Sequence, residues 1–202
     1  MLFVPVMGKG EATREGILAH AAGLASQVGL EGLTIGRLAE ELDLSKSGLF
    51  AHFRSKETLQ EQVLEHAAVR FTEVVIRPTL ATPRGEPRLR ALFDRWRRWP
   101  RESGMAGGCI FIQASVELDD RPGSVRDLLV RQQREWMEMI AAVARTGIEE
   151  GHFSAATDPG QVAQEIQGIL LAWHHASRLL RDGKAEARAR AAFEALLARI
   201  RS

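Results

Sequence analysis

A chain of 202 residues can bury a core without disulfides or a structural metal, and its formal net charge of +1 offers no global basic field that would by itself mark a nucleic-acid binder. The first 66 residues are slightly acidic, with six Lys and Arg against nine Asp and Glu, so any contact with DNA has to rest on local geometry. The single cysteine, Cys109, lacks a partner and no Cys/His group has zinc-site spacing; this excludes a disulfide framework, points to a reducing cytoplasm and implies neither a metal nor another cofactor.

At the N-terminus, the apolar run Leu2 to Val6 has no basic lead-in and is too short for a signal peptide or a membrane span. Residues 1–10 read as a flexible arm, with Met7 an alternative translation start. Tyrosine is absent, alternating β-branched runs are short and apolar spacings of three and four recur almost throughout, which gives an all-α fold. A first helix from about Glu11 carries Ile17, Ala21, Leu24, Ala25 and Val28 on one face and stops at Gly29 and Gly32. Thr34 caps a second, with Ile35, Leu38, Ala39 and Leu42 inward; after a break at Asp43 and Leu44, Ser45 caps a third. A fourth begins near Ser55, runs through Leu59, Val63, Ala67 and Phe71 to about Arg77, and is expected to end at Pro78.

Residues 78–87, with Pro78, Pro83, Gly85 and Pro87, read as a connection. Beyond it come a helix with Leu89, Leu92, Phe93, Trp96 and Trp99, a glycine corner at Gly104, Gly107 and Gly108, a helix from Cys109 to Leu118, the turn Asp119 to Gly123, and a longer helix over about 123–150. Two helices, 160–181 and 185–201, close the chain. The expected organisation is an arm at 1–10, a first domain at 11–57, and a second at 58–202 whose opening stretch, 58–77, is a connecting helix.

Two short capped helices separated by a three-residue turn are what a helix-turn-helix requires, since the first must brace the second for entry into the major groove. The same geometry occurs in proteins that never touch DNA. The run Ser-Lys-Ser-Gly-Leu-Phe-Ala-His-Phe at Ser45 to Phe53, followed by Ser55, Lys56 and Glu57, is more specific. With Ala21, Ala22, Gly29, Thr34, Ile35, Leu38 and Ala39, it makes residues 13–66 resemble the DNA-binding domain of the TetR family of regulators. Asp43 stands where that family commonly has glycine, but Asp tolerates left-handed backbone and keeps the turn. Phe50 and Ala51 stand where tyrosine is frequent, which removes a hydroxyl that often reaches phosphate in that family.

The resemblance implies a homodimer that binds a pseudo-palindromic operator, usually to repress, and a divergent C-terminal ligand domain. In the reader, Ser45, Lys46, Ser47, Leu49, Phe50 and His52 are the candidates for base edges or backbone, while Thr34, Arg37, Lys56 and the arm are candidate phosphate clamps. Leu49 and Phe53 also suit an inner core, Ser45 a cap, and Lys56 a solvated surface charge.

The second half is rich in large, adaptable apolar groups: Trp96, Trp99, Met105, Phe111, Trp136, Met137, Met139 and Trp173 suit a cavity for an apolar or aromatic effector, though each is also at home in plain core. Cys109 and His174 are assigned to the same ligand site. The neighbours of Cys109, Ile110, Phe111 and Ile112, supply no cation to favour thiolate, so an inert thiol is the main reading and a redox or electrophile sensor the alternative. His174 and His175 point about 100° apart on a helix and do not share a metal. Apolar stripes over 160–201 make the closing helix pair the expected homodimer interface, or else a cover for the cavity. The absence of Gly-x-Ser-x-Gly, a phosphate-cradling glycine loop and His-Glu-x-x-His argues against an enzyme and leaves a helical interaction protein that ignores DNA as the rival class.

Overall fold

The computed structural model describes residues 14–202, so the arm at 1–10, the Met7 start and the expected helix start at about Glu11 lie outside the described residues. Among the described residues there is no β-strand, only an isolated bridge between Phe153 and Arg201, and the fold is all-α. The first body is α1 (Arg14–Gly32), α2 (Ile35–Leu42) and α3 (Lys46–Phe53) against the start of α4 (Lys56–Phe71). Ile17, Ala21, Ala25, Leu38, Leu49, Phe53, Leu59 and Val63 form its centre. Gly29 interrupts α1 with φ 77 and ψ 167, so the helix breaks at the expected glycine and Leu30–Gly32 form a separate turn.

The fourth helix does not stop at Pro78. α4 passes into a π-helical stretch, Thr72–Ile76, and then into α5 (Arg77–Leu80), with Pro78 in the first turn of α5. Proline lacks an N–H and its ring presses on the carbonyl four residues back, Val74; the wider π turn at that place accommodates both effects without ending the rod. The connection therefore shrinks to residues 81–85. Arg88 reaches back over it, donating to the Leu80 and Thr82 carbonyls at 3.0 and 2.9 Å and so satisfying acceptors left over at the helix end.

The second body comprises α6 (Glu86–Glu102), α7 (Ile110–Leu118), α8 (Ser124–Glu149), α9 (Pro159–Arg178) and α10 (Ala185–Ile200). Glu86, in the first turn of α6, is bound by Arg90 at 2.8 Å and Arg201 at 2.6 Å; their hydrogen bonds outweigh its partial burial and hold its carboxyl at about 2. The end of the chain is thereby pinned to the start of α6.

α4 is not the only tie between the two bodies, because α1 packs along α7 and the loop before it. The buried Ser26 hydroxyl donates to the Gly23 carbonyl at 2.6 Å and accepts from Gly107 N at 3.0 Å; Gln113 Nε2 donates to the Ser26 carbonyl at 3.3 Å. Gly107 is required here by proximity, since a Cβ would lie 1.6 Å from the Ser26 carbonyl oxygen. One turn further on, Glu117 accepts from Glu31 N at 3.1 Å, Arg121 sits 3.4 Å from the Glu31 carboxylate, and Ser124 donates to Glu57 at 2.7 Å. Gly107→Ala forces backbone apart at this seam and should cost about 1–3 kcal/mol, read as a lowered unfolding midpoint; an unchanged midpoint would mean that the seam yields freely.

Candidate functional site

Local capping chemistry builds the helix-turn-helix. Thr34 Oγ1 accepts from Arg37 N at 3.1 Å and Ser45 Oγ from Gly48 N at 3.1 Å, each satisfying a donor that a helix start leaves open. Between them Asp43 adopts φ 52 and ψ 43, the left-handed turn expected of it, and Leu44 N donates back to the Ala39 carbonyl at 2.9 Å. The turn thus fixes how α3 lies on α2.

On α3 the faces separate cleanly. Leu49 and Phe53 are 1% and 0% exposed and pack into the first core, so Leu49 is not on the outer surface: helical spacing puts it on the face turned to α2 and α4. Lys46, Ser47, Phe50 and His52 are exposed together, with Phe50 half out of the protein at 51%. Thr34, Arg37 and Ser45 are exposed beside them. Lys46 lies along Gly36, whose Cβ would be 3.5 Å from Lys46 Cε, which brings its ammonium near the start of α2. Lys56 is differently employed. Its Nζ donates to the Glu31 carbonyl at 2.8 Å and carboxylate at 3.1 Å, closing the end of α1; the same contact pulls the Glu31 carboxyl below its ordinary range.

In the second body, a cavity of about 300 Å³ lies among α4, α6, α7, α8 and α9. Of the expected ligand residues, Trp96, Cys109, Phe111, Trp136 and Met139 line it. Trp99 does not: it is 0% exposed and stands behind the wall, stacked on Phe111 with ring centres 5.7 Å apart. Met105, Trp173 and His174 fall instead round a separate depression with Arg98, Arg101 and Arg178, because the 104–108 loop and the end of α9 face away from the cavity. Trp173 still meets Trp96 edge-on at 6.1 Å.

Sequence reasoning missed the residue at the centre of the cavity wall, Phe71 on α4. It meets Trp99, Phe111 and Trp136 edge-on at 5.2, 6.1 and 5.2 Å. It also missed Gln132 and Gln167 in the lining. A signal for these was present: Gln132 lies among Leu129, Trp136 and Ile140 on the apolar stripe of α8, and Gln167 beside Ala163, Ile166 and Leu170 on that of α9.

The Cys109 thiol is buried at 1% exposure and burial pushes it up to about 11, only partly opposed by hydrogen bonding. Its backbone N–H donates to His174 Nε2 at 3.4 Å, and burial, reinforced by Arg178 and His175, pulls His174 below its ordinary value, so the ring is neutral and can accept. Among the described residues no group of three or more His, Cys, Asp or Glu is placed to hold a metal ion, and no helix is long and apolar enough to cross a membrane.

Comparison with known proteins agrees with this architecture. Residues 17–63 match the family model described as bacterial regulatory proteins, tetR family, and residues 85–193 match that of the Tetracyclin repressor-like C-terminal domain. The tetracycline repressor protein class C of Escherichia coli is 34% identical over 84 residues, 42% of this chain and 32% of the repressor, so the match spans about a third of that relative. A TetR transcriptional regulator from Chloroflexus aurantiacus superposes with a TM-score of 0.79 at 26% identity over 92% of both chains. The regulator AibR, solved with isovaleryl coenzyme A and operator DNA, gives 0.64 at 22% identity over 78% of this chain and 83% of its own; at that identity the likeness is one of fold. A capped helix-turn-helix continuous with a cavity-bearing helical domain, and family models matching both parts, establish that this chain belongs to the TetR family of transcriptional regulators.

Proposed function

We propose that the protein is a homodimeric repressor of the cytoplasm that leaves a pseudo-palindromic operator when a small apolar or aromatic effector enters the cavity. The observation that carries this reading is the course of α4: it starts beneath the recognition helix at Lys56 and delivers Phe71 into the cavity wall, so one rod touches both sites. An effector that moves Phe71 tilts that rod and alters the separation of paired recognition helices, which have to span roughly 34–36 Å on B-DNA.

In this reading Ser47, Phe50 and His52 address the groove, Phe50 offering its ring to a thymine methyl, while Lys46, Arg37 and the capped starts of α2 and α3 hold phosphates. Lys56 acts through the fold, by its tie to Glu31. The test is a gel shift with DNA flanking the gene, against excess nonspecific competitor and across a salt series. Lys46→Ala should reduce the salt slope by about one, whereas Lys56→Ala should lower stability and leave the slope unchanged. A sequence-blind protein would return the rival, a helical partner that ignores DNA.

Pairing through 160–201 is supported by an exposed stripe of small and apolar residues on α9, Gly168, Leu171 and Ala172, with Leu179 just past its end, continued on α10 by Ala192 and Ala195. Ala172→Arg should convert dimer to monomer in sedimentation and abolish operator binding with it. A dimer that survives the substitution would move the interface elsewhere.

Effector binding is favoured over thiol sensing because Cys109 is enclosed and its thiol is held protonated. A thiol reagent at pH 8 should label the native protein far more slowly than the unfolded chain. Rapid stoichiometric labelling that also releases DNA would reinstate Cys109 as the sensor.

A further inference from the structure

We propose that the effector is an aromatic molecule of one or two rings that bears no negative charge and presents a hydrogen-bond donor to Gln132 Oε1 and an acceptor to Gln167 Nε2. The inference rests on the ligand-responsive reading above and specifies the chemistry of that ligand.

The size and walls give the body of the molecule. About 300 Å³ is at the small end for ligand pockets, and Phe71, Trp96, Phe111 and Trp136 present ring surfaces on several sides, which favours a flat apolar guest. The charge follows from what the lining contains. It holds no Lys, Arg or His, and its one ionisable carboxylate, Glu135, is exposed. A carboxylate or phosphate entering here would lose its hydration and find no cation in exchange, with Glu135 adding repulsion. Five arginines, Arg97, Arg98, Arg101, Arg178 and Arg190, line instead the depression at Met105 and His174.

The two amides give the polarity. Gln132 Nε2 donates to the Leu64 carbonyl at 3.3 Å, which orients the amide; its Oε1 is buried and has no partner in the protein. An enclosed acceptor left without a donor is costly, and a ligand hydroxyl or N–H removes that cost. Gln167 is oriented by the opposite end, its Oε1 accepting from Trp136 Nε1 at 2.9 Å, which leaves Nε2 as the donor. Both glutamines line the cavity; Gln132 Oε1 is covered there, so a guest reaches this acceptor by turning the amide, while Gln167 Nε2 is the donor left among the aromatic rings.

Calorimetric titration of the full chain with naphthol, naphthalene and naphthoate separates the elements of this proposal. Naphthol should bind, and naphthoate, of similar shape but anionic, should bind at least about ten-fold more weakly. Gln132→Met should weaken naphthol roughly three- to ten-fold and leave naphthalene unchanged; Gln132→Leu repeats the test should Gln132→Met not fold. Naphthoate binding as tightly as naphthol, no binding by any of the three, or naphthol indifferent to the loss of Gln132 each overturns the proposal. Operator binding by the ligand-free protein is measured alongside: selective DNA binding retained in those cases removes the ligand chemistry alone, and its absence removes the regulator reading itself.

Discussion

The arrangement depends on a contact between two stretches of backbone, Ser26 in α1 and Gly107 in the loop before α7. It admits no side chain on Gly107 and uses the Ser26 hydroxyl twice, as donor and acceptor. With Gln113 on the Ser26 carbonyl and Glu117 on the amide of Glu31, α1 is held along one side of the second body while α4 enters it from another. The first body is thus attached at two places and cannot swing about α4 alone. Cys109, Phe111 and Ile112, which line the cavity, lie between Gly107 and Gln113, which grip Ser26. Any displacement of that short segment is shared with α1 for simple reasons of chain continuity.

The surroundings of the cavity divide charge and apolar surface with little mixing. Aromatic rings and neutral amides face it, and burial keeps both Cys109 and His174 uncharged at neutral pH. Apart from the exposed Glu135 at its edge, the ions lie elsewhere: Glu86 with Arg90 and Arg201, Glu31 with Lys56 and Arg121, Arg97 with Asp94 and Glu186. The exposed ones among these, such as Glu31 with Lys56, contribute little stability each, whereas Arg97 is buried. Their main effect here is to fix register at the ends of helices.

Whatever was encoded within a few residues was legible in the sequence. Thr34, Ser45 and Ser55 cap the helices they precede, and Asp43 takes the left-handed turn, because a cap needs only its own residue and the amides two or three further on. Pro78 misled because the local rule ends a helix there, while packing of the rod on both sides favours a π turn over a stop. Leu49 could be read as core or as surface until α3 had a face to bury. Trp96 and Trp99 look alike in sequence, being three apart on one helix, yet one lines the cavity and the other stands behind it. The seam at Ser26 and Gly107 joins residues 81 apart, and nothing near either one announces the other. Phe71 and the glutamines had a visible signal, but only in relation to helices not yet placed.

One feature of composition acquires meaning from this layout. The chain has four tryptophans and no tyrosine, and all four, Trp96, Trp99, Trp136 and Trp173, sit in or around the cavity-bearing body, with Phe71 against two of them. Its ultraviolet emission is therefore a report from the effector half alone. Unfolding curves read by tryptophan fluorescence will follow that half and be blind to melting of the recognition helix, so the two halves need different probes before their stabilities can be compared.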